Sequence, residues 1–112
     1  MRIRIRTDFA LRNQRTLVER RIRFALSRFE PRIASIDVRL CDINGPRGGI
    51  DHHCRLVVRL RWPRTSVIVE AQDVNIESAV GGGAERAARG VARALDTSTD
   101  GRRLFLRRQD VA

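Results

Sequence analysis

Apolar residues alternate strictly with arginine at the start of the chain. Ile3 and Ile5 fall on one side of an extended segment and Arg2, Arg4 and Arg6 on the other, the period of a strand with one buried face. From Asn13 to Phe29 the period lengthens. Val18, Ile22, Ala25, Leu26 and Phe29 recur at three- and four-residue spacing, which lines them up on one stripe of an amphipathic helix. Asn13 offers a capping side chain, and Pro31 marks where that helix ends.

Period two returns from Ile33 to Cys41, with Ile36, Val38 and Leu40 on one face and Asp37 and Arg39 on the other. It recurs from Cys54 to Arg61, with Cys54, Leu56, Val58 and Leu60 inward and Arg55, Val57, Arg59 and Arg61 outward. Between these strands, Asp42 to Asp51 contains Asn44-Gly45-Pro46 and Gly48-Gly49, the residues of a loop. Trp62-Pro63 begins a short turn. Val67, Val69 and Ala71 then alternate with Ile68 and Glu70 as a fourth strand.

The last periodic stretch runs from Asn75, a good capping residue, to about Leu95. Ile76, Val80, Ala84, Ala87, Val91 and Leu95 form its stripe. Gly81, Gly82 and Gly83 interrupt it, each destabilising a helix by roughly 0.5–1 kcal/mol relative to alanine. The triplet therefore predicts either a close-packing point against the sheet or a local irregularity. Thr97 to Arg103 reads as a polar linker, so the division predicted is a domain over residues 1–96 and a basic, flexible tail over 97–112.

The order is β-α-β-β-β-α, an α+β fold. A crossover helix makes the first two strands parallel, the last three form an antiparallel meander, and both helices cover the one apolar face of a four-stranded mixed sheet. Double-stranded-RNA-binding domains are built in a similar way. The other face of the sheet is left in water, carrying Arg2, Arg4, Arg6, Arg39, Arg55, Arg59 and Arg61.

A length of 112 residues suits one compact domain. Charge narrows the class further. The 23 cations against 13 acids leave a formal +10, which predicts a polyanionic partner and salt-sensitive binding. Every cation is arginine, whose planar fork suits phosphate; codon bias toward arginine is the other reading of the missing lysine, but it does not account for the net charge. Arginine interrupts the N-terminus before any apolar run of signal-peptide length, and no 18 apolar residues run together. A cytoplasmic protein that neither enters nor crosses a membrane is expected. Two cysteines are too few for a disulfide scaffold.

Little else carries chemistry. His52, His53, Cys54 and Cys41 resemble a metal-ligand set, but neighbouring strand residues point to opposite faces. His53 is thereby separated from His52 and Cys54, and Cys41 from Cys54. Asn44 to Gly49 could cradle a phosphate, yet it lacks the Gly-Lys-Ser/Thr ending of a nucleotide-binding loop and opens no helix. A hairpin loop, with Arg47 as an RNA contact, is the reading retained. Trp62 could stack on a base or cover the edge of the core. With no nucleophile beside a base and no paired carboxylates, neither an enzyme nor a cofactor is expected.

The ordered set of segments MRIRI, VERRIRFALSRF, IASIDVRL, DINGPRGGIDHHC, NIESAV and ERAARGVARAL, over roughly residues 1–95, resembles the ribosome hibernation-promoting factor and ribosome-associated inhibitor family. The resemblance implies a domain that enters the decoding channel of the small ribosomal subunit. There its helix cations touch ribosomal RNA and exclude messenger and transfer RNA. Arg86, Arg89 and Arg93 match basic positions in the family's second helix, and Arg21 matches one in its first. Arg28 is a further candidate on the first helix. The sequence departs from the pattern at the glycine triplet, at Asn75 in place of an aspartate cap, and at Phe24 where some relatives carry a base. No segment corresponds to the second domain that pairs ribosomes in longer members, so an additional factor would be needed for ribosome dimerisation.

Helical geometry speaks to the same residues independently. At 100° per residue, Arg86, Arg89 and Arg93 cluster opposite the Val80–Leu95 stripe and span roughly 10 Å of axis, a spacing able to meet successive phosphates. An ordinary solvated face is the competing reading, although Glu85 is the one acid close by. Double-stranded or structured RNA without any tie to ribosomes is the alternative partner.

Overall fold

The computed structural model describes residues 1–8, 14–44 and 50–111, the side chains of Asn44, Ile50 and 97–111 excepted. The order is β1 (Arg2–Thr7), α1 (Gln14–Leu26), a 3-10 segment (Ser27–Arg32), β2 (Ile33–Asn44), β3 (Ile50–Leu60), β4 (Ser66–Asp73) and α2 (Ile76–Val111). The strands lie side by side as β1-β2-β3-β4. β1 runs parallel to β2, and β2, β3 and β4 are antiparallel neighbours. This is the mixed sheet with two helices that the alternating pattern predicts.

The period-two residues meet in register across the inner face, Val38 opposite Leu56 and Leu56 opposite Val69. Val18, Ile22 and Leu26 of α1 and Val80, Ala84, Ala87 and Val91 of α2 close over them into one buried cluster. Both helices thus cover the same face. At the usual 25 cal/mol per Å2 such burial is the main term holding the layers together.

Three boundaries differ from those the sequence predicts. The α-helix of α1 stops at Leu26 rather than near Phe29, where the backbone turns to φ −110°, ψ 6°. The Ser27 hydroxyl donates to the Phe24 carbonyl at 3.1 Å, satisfying one of the helix end's free acceptors. Pro31 then sits within the 3-10 segment. The connection between β2 and β3 is shorter than the predicted loop, because the ladder continues through Asp42 opposite His52 to Asn44 opposite Ile50. His52 Nδ1 and Asp42 Oδ1 lie 2.8 Å apart, a cross-strand pair that favours the longer hairpin. Finally, α2 continues beyond Leu95 to Val111; that stretch holds no proline, and the single Gly101 opposes helix by only about 1 kcal/mol.

Candidate nucleic-acid interface

Asn75 anchors α2. Its Oδ1 accepts from the backbone N–H of Glu77 at 2.8 Å and of Ser78 at 3.3 Å, satisfying two of the free donors at the helix start. The helix then lies close to the sheet because of its glycines. A Cβ at Gly83 would fall 2.8 Å from Leu56 Cδ1 and 3.3 Å from Cys54 Sγ. The triplet is therefore a close-packing point, the first of the two readings the sequence leaves open. Gly82 has no such constraint, its nearest neighbour being the Ala71 methyl at 3.6 Å.

With α2 seated this way, its solvent side faces α1 across a groove lined by Arg21, Phe24, Gly81, Glu85, Ala88 and Arg89. Arg21 of α1 lays its guanidinium against α2 at Gly81, where an added Cβ would come within 3.0 Å of Nη2. Arg21 and Arg89 are thereby brought to one groove, with Phe24, 82% exposed, on its rim. Arg93 is exposed one turn further along α2. Arg86 reaches the other way, donating from Nη1 to the Glu70 carbonyl of β4 at 2.6 Å.

Arg28 stands apart from this groove. It lies in the 3-10 segment with its Cζ 4.7 Å from the centroid of the Phe29 ring. Arg47 is outside the described residues, as is the Asn13 cap. Among the described residues, the arginines that pair with carboxylates are Arg23, with Glu19 and Glu30, and Arg59, with Asp37. Arg21, Arg89 and Arg93 form no ion pair among the described residues.

The chain is similar to the N-terminal domain of Protein Y from Thermus thermophilus in its crystal structure, with a TM-score of 0.61 and 19% identity over 82% of this chain and 93% of that one. The two share a fold. No family model and no curated protein sequence matches the chain. At 19% identity the Protein Y likeness carries the architecture rather than the side chains.

The histidines and cysteines divide as strand parity requires. Cys54 is buried in the core, and burial, aided by the nearby Cys41, pushes its thiol pKa up to about 12. Cys41 lies on the outer face with its Sγ 3.7 Å from His53 Nδ1, and His53 Nε2 is 3.7 Å from Glu70 Oε1. Among the described residues no three such groups are placed to hold a metal ion. Likewise, among them no helix is long and apolar enough to cross a membrane.

Sequence reasoning missed two arrangements. One is the packing of Arg21 on Gly81. The other is at Trp62, half exposed, over which Arg32 stacks with its Cζ 4.5 Å from the ring centroid while its Nε donates to the Trp62 carbonyl at 2.7 Å. An arginine thirty positions away occupies that ring face. No spacing rule links such distant residues.

Proposed function

We propose that this protein is a ribosome-associated inhibitor of translation that binds the RNA of the small ribosomal subunit in the decoding channel through the outer sides of its helices. Arg21, Arg89 and Arg93 are its principal phosphate contacts, Arg86 and Arg28 lie at the margins, and Arg47, between β2 and β3 in the sequence, is a further contact. The observation that carries this reading is the α1–α2 groove, where Arg21 and Arg89 converge beside Glu85 and, among the described residues, form no ion pair. The shared fold with the Protein Y domain and the ordered sequence resemblance support it. Guanidinium groups without internal partners bind a polyanion by releasing its counterions, so affinity should fall steeply with salt. The chain acts by occupying space and performs no chemistry. It works in the cytoplasm, and residues 97–112 form a basic extension of the 1–96 domain.

Sedimentation through sucrose tests the proposal. At low salt the protein should pellet with small subunits, and R86E/R89E/R93E should pellet less and show a shallower salt dependence. Protein left in the supernatant at low salt refutes the reading. Two helices on one face of an antiparallel meander also favour a second reading, a general duplex-RNA binder; equal affinity for generic duplex RNA and for small subunits would select it.

A further inference from the structure

The side of the sheet away from the helices is not a neutral surface. Register places Arg6 of β1 opposite Arg39 of β2, and Arg39 opposite Arg55 of β3. With neighbouring strands about 4.8 Å apart, three guanidinium stems stand in one row roughly 10 Å long. Arg2 and Arg4 precede Arg6 on the same side of β1, extending the patch along the strand by about 13 Å. Arg6, Arg39, Arg55 and Arg59 line one shallow concavity.

Like charges set directly opposite one another destabilise a sheet. The usual remedy is a carboxylate set between them; here Glu70 of β4 stands opposite Arg55 at the end of the row, but among the described residues none stands between Arg6, Arg39 and Arg55. Asp37 is taken by Arg59, Asp51 accepts from Gln72 Nε2 at 2.9 Å, and the Glu70 carboxylate lies beside His53. Among the described residues Arg2, Arg4, Arg6, Arg39 and Arg55 have no ion-pair partner. The fold thus sustains internal repulsion that an external polyanion would relieve.

We propose that this face is a second binding surface, independent of the helix groove, for the phosphate backbone of structured RNA. It rests on the RNA-binding reading only for the class of partner. Among the described residues this face carries no Phe, Tyr or Trp for stacking on bases, and its ring, His53, lies between Cys41 and Glu70. It is therefore suited to backbone rather than sequence. Its apolar side chains, Val57 and Ile68 among them, are too few to enter a lipid interface. Since the helices and this face point in opposite directions, one chain can hold two RNA segments with the core between them.

The test uses the full chain in the R86E/R89E/R93E background, with a fluorescent RNA duplex as probe. Residual binding should persist there, and adding R6Q/R39Q/R55Q should weaken it by roughly tenfold or more and lower the slope of log K against log salt by about two to three. Glutamine keeps length and polarity at exposed sites, and an unchanged or raised urea midpoint shows that the fold survives. The proposal is overturned if the residual binding is absent, if the glutamine variant leaves it unchanged, or if the face binds phosphatidylserine vesicles and not RNA. Failure of the helix-groove reading looks different, because R86E/R89E/R93E alone would then bind small subunits as well as the parent chain does.

Discussion

The guanidinium of Arg21 rests on α2 at the position where Gly81 has no side chain, and an added Cβ would stand 3.0 Å from its Nη2. A flexible side-chain end can move away from such a contact, so the conflict falls on the placement of Arg21 rather than on the core. Alanine is also favoured over glycine in a helix by about 1 kcal/mol. Gly81→Ala should therefore unfold at equal or higher urea concentration yet bind small subunits several-fold more weakly. Pelleting beside a urea titration separates the two effects.

Gly83→Ala should behave in the opposite manner. Its Cβ would meet Leu56 and Cys54, both fully buried, and overpacking of a filled core typically destabilises by about 1–3 kcal/mol. The urea midpoint should drop with the slope unchanged. A drop smaller than that of Gly82→Ala would contradict the close-packing account.

Removing the cap of α2 offers a third test. Asn75→Ala leaves the N–H groups of Glu77 and Ser78 without their acceptor, a loss of about 1 kcal/mol, or roughly 4–8 °C in Tm for a domain of this size. Asn75→Asp keeps the acceptor and adds negative charge at the positive end of the helix. It should unfold at the same temperature as the parent or higher.

Alkaline pH isolates Cys54. Its thiol ionises near 9.0 when exposed and at about 12 in the fold, chiefly through burial. The folded state therefore holds its proton more tightly than the unfolded chain. The stability linked to this group is complete below pH 9 and is lost as pH rises toward 12. No lysine or tyrosine occurs in the sequence to obscure that window. Denaturation midpoints followed from pH 8 to 11 should fall, and Cys54→Ala, though less stable at neutral pH, should flatten the decline.

The strands were legible because alternation is a local property: Ile3, Ile36, Leu56 and Val69 reach the inner face by parity alone. Asn75 was legible for the same reason, since a cap acts within three residues. The end of α1 was not, because the choice between α-helical and 3-10 turns near Pro31 depends on how Ile33 enters the sheet. The length of the β2–β3 hairpin depended on the Asp42–His52 pair, which exists only once register is set. Among the arginines, helical spacing grouped Arg86 with Arg89 and Arg93, yet contact with the β4 edge draws Arg86 toward Glu70. That contact lies between residues distant in sequence. The docking of Arg21 on Gly81 needed the crossing of two helices, and no pattern within either one encodes it.

The division of β1 and β3 between a greasy side and a cationic side also constrains how this chain can change over evolutionary time. Inserting or deleting a single residue inside β3 would swap its two sides, driving Arg55 and Arg59 beneath the helices and lifting Leu56 and Val58 into water. Length variation among descendants should consequently accumulate where β2 joins β3 and in the turn after Leu60, while the strands themselves keep a fixed residue count even as individual side chains drift.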